Sequence, residues 1–145
     1  MKKITAIFII IIAICTITLF YLHHPLNTRI QIQNQIFTVE LAVTQLEKER
    51  GLGYRDSLDE HLGMLFPYDH SERYSFWMKG MRFPIDIIWI NDNKIVDISK
   101  NVPVSTNSIL FTYAPKEPVN QVLELNAGVS NRYNFQIGDS VTILK

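Results

Sequence analysis

Apolar and polar residues alternate with a period of two between residues 30 and 43. The apolar positions of this stretch are Ile30, Ile32, Phe37, Val39, Leu41 and Val43. A two-residue turn at Asn34-Gln35 pairs residue 32 with 37 and residue 30 with 39, which puts these four side chains on one face. The pattern predicts a β-hairpin with one buried side.

Helical signals follow directly. Thr44 and Glu47 have the spacing of a capping box, and residues 45–50 are good helix formers that stop at Gly51. We expect one short helix there and a second within residues 127–134.

Apolar runs of strand length make up most of the remaining sequence. They cover residues 63–66, 74–79, 84–90, 94–99, 119–125 and 140–144. Turn residues separate them at Asn91-Asp92-Asn93 and Gly138-Asp139. The predicted fold is α+β and mainly β, a compact antiparallel barrel or sandwich of seven or eight short strands with one or two short helices.

Residues 4–22 form an uncharged apolar run preceded by Lys2 and Lys3. As a helix the run would be about 28 Å long, which matches the hydrocarbon core of a bilayer. We expect an uncleaved single-pass anchor over residues 1–27, with the N-terminus cytoplasmic and an extracytoplasmic domain over residues 28–145. The alternative is a cleaved signal peptide and a secreted or periplasmic domain, although no small-x-small cleavage site is apparent.

Composition narrows the possible partners of the outer domain. Cys15 is the only cysteine and lies in the apolar run, so residues 28–145 have no disulfide or thiol nucleophile. Lys2 and Lys3 are two of the 14 basic residues of the chain. The outer domain therefore has 12 basic and 14 acidic residues, which gives it a formal charge of −2. This balance disfavours nucleic acid as a partner. We find no phosphate loop, dinucleotide fingerprint or compact metal-ligand motif, and predict no cofactor and no metal.

Six ordered blocks carry a family resemblance. They are Arg50-Gly51-Leu52 with Arg55 and Leu58, Gly63-Met64-Leu65-Phe66, Phe76-Trp77-Met78-Lys79, Pro84-Ile85-Asp86-Ile87, Leu123-Glu124-Leu125 with Ala127-Gly128, and Gly138-Asp139. Together they resemble domain of unknown function 192 (DUF192) over about residues 38–144. The resemblance implies a small β-rich domain, commonly exported or membrane-tethered, and no established reaction. The chain departs from the family pattern at Gly53, Gly80 and Gln121, which would alter a pocket if they line it.

The candidates for ligand binding in the family blocks are Trp77, Lys79 and Asp86, together with Arg50 and Arg55. Asp86 shares a strand face with isoleucines, so its carboxylate must be paired, hydrogen-bonded or shifted in pKa. It either ties its strand to a loop through backbone N–H groups or an arginine such as Arg50 or Arg55, or it belongs to a site. Trp77 is either a core residue or, on the face of Lys79, a stacking surface for a sugar or peptide.

The segment from Lys100 to Pro118 is the one long connection, and it carries the aromatic residues Phe111 and Tyr113. It is either a binding loop that walls the site or a packed loop without a ligand. Glu40 and Glu124 lie inside predicted strands. With Asp86 they are the possible carboxylates of a glycoside hydrolase, or ordinary charges on a solvent face.

Three functional hypotheses remain. A module that binds an envelope glycan or peptide is favoured, because aromatic and polar groups recur without a recognisable nucleophile and base. The alternatives are a carboxylate-dependent hydrolase and a structural or assembly partner of a membrane protein. The sequence favours a protein that is not an enzyme.

Overall fold

The computed structural model describes residues 28–105 and 111–144. Within these residues the chain forms nine strands and two helices, so it is mainly β as predicted. The elements are β1 Thr28–Ile32, β2 Gln35–Leu41, α1 Gln45–Arg50, β3 Leu62–Glu72, β4 Phe76–Trp77, β5 Ile85–Asn91, β6 Lys94–Val102, β7 Thr112–Tyr113, β8 Val119–Asn126, α2 Val129–Arg132 and β9 Val141–Leu144.

Seven strands form one curled sheet in the order β6-β5-β8-β3-β2-β1-β9. Its two edges meet at one end, where the Val141 N–H donates to the Asn93 carbonyl at 2.8 Å and the Ile95 N–H donates to the Asp139 carbonyl at 3.0 Å. The sheet is therefore a half-barrel. β2 and β3 run parallel, so the sheet is not wholly antiparallel as expected. The remaining strands, β4 and β7, form a two-stranded ribbon outside the sheet.

Both faces of the sheet are buried. The inner core consists mainly of Ile30, Ile32, Phe37, Val39, Leu65, Ile88, Ile90, Leu123, Leu125 and Phe135. The outer core consists mainly of Ala42, Leu52, Met64, Phe66, Phe76, Met78, Ile85, Ile87, Trp89 and Val122. Strand β5 contributes to both, which explains its unbroken apolar run. The segments that follow α1 and β3 supply the outer layer.

The predicted hairpin exists with a different turn. Its turn residues are Gln33 and Asn34, so Ile32 pairs with Gln35 and Ile30 pairs with Phe37. Gln33 has a φ of 53°, a left-handed conformation that tight hairpin turns require. The register shifts by two positions, and because side chains alternate with a period of two, the four apolar residues still share the buried face.

Local signals for the helices are confirmed. Thr44 and Glu47 form the complete capping box of α1, and Gly51 ends it with a φ of 51°. The second helix, α2, lies within the range predicted for it. The predicted apolar anchor at residues 4–22 lies outside the described residues. Among the described residues no helix is long and apolar enough to cross a membrane.

Candidate functional site

A cleft of about 270 Å³ opens on the outer face of the half-barrel, between α1 and the segment around β4. We name it the α1–β4 cleft. Its lining residues are Gln45, Lys48, Glu49, Arg50, Gly51, Leu52, Tyr68, Tyr74, Ser75, Phe76, Trp77, Lys79, Met81 and Glu124. The volume is slightly below the range typical of small-molecule sites, roughly 300 to 1,000 Å³. One ring or one residue of a polymer fits such a space.

Strand register places Glu124 on the floor of the cleft. Glu40, Met64, Glu124 and Ile87 are successive partners across β2, β3, β8 and β5, so they form one row on the outer face. Within the row Glu124 lies between two buried apolar side chains, and it is only 4% exposed. Glu124 therefore has its carboxyl group at a buried position whose two neighbours on the adjacent strands are apolar.

Burial raises the pKa of Glu124 to about 7, because the charged form loses its hydration. A hydrogen bond from the backbone N–H of Leu52 and the charge of Arg55 oppose this rise. The Oε2 atom is buried and has no hydrogen-bond partner in the described part of the chain. Glu124 therefore retains an unused acceptor at the cleft floor.

The end of α1 covers this carboxyl group. A Cβ atom added to Gly51 would lie 3.4 Å from Glu124 Oε2 and 3.5 Å from the ring of Phe66. The φ of 51° and ψ of −137° at Gly51 belong to a region that side chains disfavour strongly. Glycine thus lets the chain turn over Glu124 and aim the next N–H at it.

Arg55 binds a different carboxylate. Its guanidinium donates to both oxygens of Glu40, at 2.6 and 2.8 Å, in a half-buried bidentate pair. Glu40 and Glu124 are two strand spacings apart, about 10 Å between Cα atoms. The charge of Arg55 lowers the pKa of Glu124 through space. Neither Glu40 nor Arg55 lines the cleft.

Two tyrosines form one wall of the cleft. The rings of Tyr68 and Tyr74 stack with centroids 3.6 Å apart and planes 13° from parallel. The Nζ of Lys48 lies 4.0 Å from the centre of the Tyr68 ring, a cation–π contact. Burial raises the pKa of Tyr68 to about 12, so its hydroxyl stays protonated at physiological pH.

Trp77 forms the opposite rim and is not a core residue, since 44% of it is exposed. Its indole N–H donates to the Glu49 carbonyl at 3.3 Å, which links β4 to the last turn of α1. The Nζ of Lys79 lies 5.9 Å from the centre of the Trp77 ring. An aromatic face and a cation are thus held together at the mouth.

Asp86 is buried at a place apart from the cleft. Its carboxylate accepts hydrogen bonds from three backbone N–H groups: Asn101 at 2.8 Å, Gly128 at 3.2 Å and Ser130 at 2.8 Å. These contacts fasten the end of β6 and the start of α2 to β5. The site gathered around Trp77, Lys79 and Asp86 that the sequence indicates therefore divides in two, and Asp86 takes the architectural role.

The other predicted residues have different positions. Arg50 lines the cleft, whereas Phe111 is 62% exposed and Tyr113 pairs with Phe76 in the ribbon. None of the described residues of the segment 100–118 lines the cleft. The same holds for Gly53, Gly80 and Gln121, so these departures from the family pattern do not shape its wall.

Sequence reasoning missed Lys48, Tyr68 and Tyr74. The signal for Tyr68 was present, because it continues the alternation of Met64 and Phe66 along β3 and therefore lies on the same face. Lys48 lies four residues after the helix cap, on a helix too short to show a face by periodicity. Its contact with Tyr68 depends on tertiary packing.

Two solved structures resemble this one. A protein from Sinorhizobium meliloti 1021, whose name proposes a transcription regulator, is 33% identical with a TM-score of 0.72, over 80% of this chain and 92% of that chain. A protein of unknown function from Novosphingobium aromaticivorans DSM 12444 is 28% identical with a TM-score of 0.70, over 79% and 83%. No curated protein matches the chain.

The family comparison agrees with the blocks that the sequence displays. Residues 28–143 match the model of DUF192, which is described as Uncharacterized ACR. The match covers the half-barrel except for Leu144 at its end, and it includes every residue of the α1–β4 cleft. The chain belongs to the DUF192 family.

Proposed function

We propose that this chain is a binding module that holds one unit of an envelope glycan or peptide in the α1–β4 cleft. The observation that carries the proposal is the pairing of a fixed, exposed aromatic face at the rim with a buried carboxyl group at the floor. Aromatic faces bind sugar rings and side chains, and a few directed polar groups set orientation. The proposal includes a membrane anchor at residues 4–22 that places the module outside the cytoplasm.

Tryptophan fluorescence gives a direct test. The chain has two tryptophans, and Trp89 is fully buried in the outer core, so a ligand in the cleft changes mainly the emission of Trp77. The full-length chain in mild detergent is titrated with soluble cell-wall fragments and with unrelated oligosaccharides. We expect saturable quenching by a subset of the fragments and loss of that signal in Trp77→Phe.

Calorimetry with the same ligands provides the control, since it does not depend on the fluorophore. Trp77→Ala should weaken binding by about 1 to 3 kcal/mol. Equal affinity of the wild type and Trp77→Ala would overturn the proposal.

A second candidate function is hydrolysis, favoured by a specific observation. Glu124, with its pKa near 7, shares the cleft with a second carboxylate, Glu49. Two carboxyl groups in one cleft are the minimum for acid-assisted cleavage of a glycosidic bond. Incubation with cell-wall fragments and analysis of the reducing ends tests it: turnover that Glu124→Gln abolishes would establish an enzyme.

A further inference from the structure

The charges around the α1–β4 cleft point to the class of ligand, and this inference rests on the binding function proposed above. Glu124 presents one oxygen to the Leu52 N–H and leaves Oε2 without a partner. Arg55, whose charge acts on Glu124 through space, has both terminal nitrogens on Glu40. When Glu124 ionises, its charge therefore has no direct partner within the described residues.

The rim has the opposite charge. Lys48, Arg50 and Lys79 line the cleft, and none of them forms an ion pair with any residue in 28–105 or 111–144. Lys48 and Lys79 lie against aromatic faces instead of carboxylates. The three cations exceed the two carboxylates of the lining, Glu49 and Glu124, by one unit of charge.

This separation of charge selects among ligands. A simple cation would be attracted by the floor but repelled at the rim, and a simple anion would meet the reverse. A molecule with both an ammonium and a carboxylate group would satisfy the two ends together. Its side chain would lie against the Tyr68-Tyr74 stack or Trp77.

We propose that the cleft takes a small zwitterion of the amino-acid type, with its ammonium group donating to Glu124 and its carboxylate near Lys48 and Lys79. A unit of this size suits a cavity of about 270 Å³. Free amino acids and the ends of short peptides share this chemistry.

Three matched probes separate the two charges. Phenylalanine carries both groups, 2-phenylethylamine lacks the carboxylate, and 3-phenylpropionate lacks the amine, while all three keep the ring. Each enantiomer of phenylalanine is titrated into the full-length chain in mild detergent at about pH 8, where Glu124 is mainly ionised, with calorimetry and Trp77 emission as readouts. We expect at least one enantiomer to bind about tenfold or more tightly than either truncated probe.

Variants assign each charge. Glu124→Gln should weaken phenylalanine binding about tenfold without weakening the binding of 3-phenylpropionate, and Lys79→Met should weaken phenylalanine binding without weakening that of 2-phenylethylamine. Glu117→Gln, which removes an exposed carboxylate that does not line the cleft, is the matched control and should bind like the wild type.

The affinity should also rise with pH as Glu124 ionises. The groups that face it are Arg55 and Tyr68 through space, and Lys48, Glu49, Arg50 and Lys79 around the cleft. An affinity for phenylalanine that stays constant between about pH 6 and pH 8 would count against the contact with Glu124.

The outcomes distinguish this inference from the proposed function. The proposal of a zwitterionic ligand is overturned if neither enantiomer of phenylalanine binds, or if a truncated probe binds as tightly as phenylalanine. If cell-wall fragments still quench Trp77 in that case, the binding function stands without it. If neither the probes nor the fragments bind at the cleft, both proposals fall.

Discussion

Glu124 is a carboxyl group in a row of buried side chains, and its ionisation has a cost. Its neighbours on both adjacent strands, Met64 and Ile87, are apolar and cannot hydrate it. The Leu52 N–H and the distant charge of Arg55 offset only part of the loss. Binding sites often contain groups of this kind, because a ligand then supplies the missing partner.

The first prediction concerns stability and pH. The pKa of Glu124 is about 7 in the folded chain and near its ordinary value of 4.5 when unfolded. Because the pKa of Glu124 is higher in the folded chain, its contribution to stability is complete below pH 4.5. This contribution is lost as the pH rises to about 7. The loss is on the order of 3 kcal/mol.

Urea unfolding of the wild type and Glu124→Gln measures this contribution. The stability of the wild type relative to the variant should fall by that amount between about pH 4.5 and pH 8, because glutamine does not titrate. Parallel stability curves for the two proteins would show that Glu124 has an ordinary pKa.

The second prediction compares the two tryptophans. Trp77 is 44% exposed and Trp89 is fully buried. Trp77→Ala should therefore reduce the free energy of unfolding by about 1 kcal/mol or less, whereas Trp89→Ala should cost about 3 to 5 kcal/mol. Thermal melting of both variants is the measurement. A large loss of stability in Trp77→Ala would make Trp77 an architectural residue.

At the scale of the elements, Asp86 acts as a clamp. Its three backbone partners belong to the end of β6 and the start of α2, and each is a charge-assisted hydrogen bond. The carboxylate therefore replaces the regular hydrogen bonds that these two chain ends lack.

The third prediction is that Asp86→Asn destabilises the domain by about 2 to 4 kcal/mol and leaves ligand binding intact. An amide group has a single acceptor oxygen, so its NH2 would face a backbone donor such as the Ser130 N–H. Chemical denaturation checks the loss, with the exposed Asp56→Asn as the matched control, expected within about 0.5 kcal/mol of the wild type. If Asp86→Asn is stable but does not bind ligand, Asp86 is part of the functional site.

The fourth prediction concerns the end of α1. Gly51→Ala should destabilise the domain by about 1 to 3 kcal/mol, because alanine disfavours the backbone conformation found there. Its methyl group would also lie 3.4 Å from Glu124 Oε2, where it occupies space beside the unpartnered oxygen. We expect weaker binding of any ligand in the cleft, measured by calorimetry on the folded fraction. If Gly51→Ala is as stable as the wild type, the backbone at residue 51 must be able to adopt another conformation without cost.

Elements with local signals could be predicted from the sequence. Helix α1 has its cap, its box and its terminal glycine within eight residues, and β5 has an unbroken apolar run. The predicted turn of the first hairpin was wrong because glutamine is uncommon in the left-handed conformation that Gln33 adopts. Its presence therefore gave no sequence signal for a turn. The parallel pairing of β2 with β3 and the β4–β7 ribbon depend on contacts distant in sequence.

The candidate site was predicted only in part for the same reason. Trp77, Lys79, Arg50 and Glu124 were named from the sequence, and all four line one cleft. Asp86 was grouped with Trp77 and Lys79 because the distinctive family blocks supply all three residues. The sheet instead directs Asp86 to the inner face and Glu124 to the outer one, and single-strand periodicity cannot show which face carries the cleft.

At the scale of the whole molecule, the α1–β4 cleft lies on the outer face of the half-barrel. The two edges of the sheet meet where β9 lies next to the start of β6, and the outer core is covered by the chain segments around α1 and β4. Trp77 at the rim of the α1–β4 cleft is 44% exposed, so a ligand can reach this side chain without opening either core. This arrangement is compatible with the binding function that we propose.

The fifth prediction concerns the orientation of the full-length chain. Lys2 and Lys3 before an uncharged run of residues 4–22 favour a cytoplasmic N-terminus, so the half-barrel should face the outside. A C-terminal reporter that is active only after export should therefore be active, and a reporter that is active only in the cytoplasm should not. Replacing both lysines with glutamate should reduce export of the reporter, because the positive charges orient the run. Cytoplasmic activity of the wild-type fusion would contradict the predicted orientation, and N-terminal sequencing that begins after Leu22 would replace the anchor with a cleaved signal peptide.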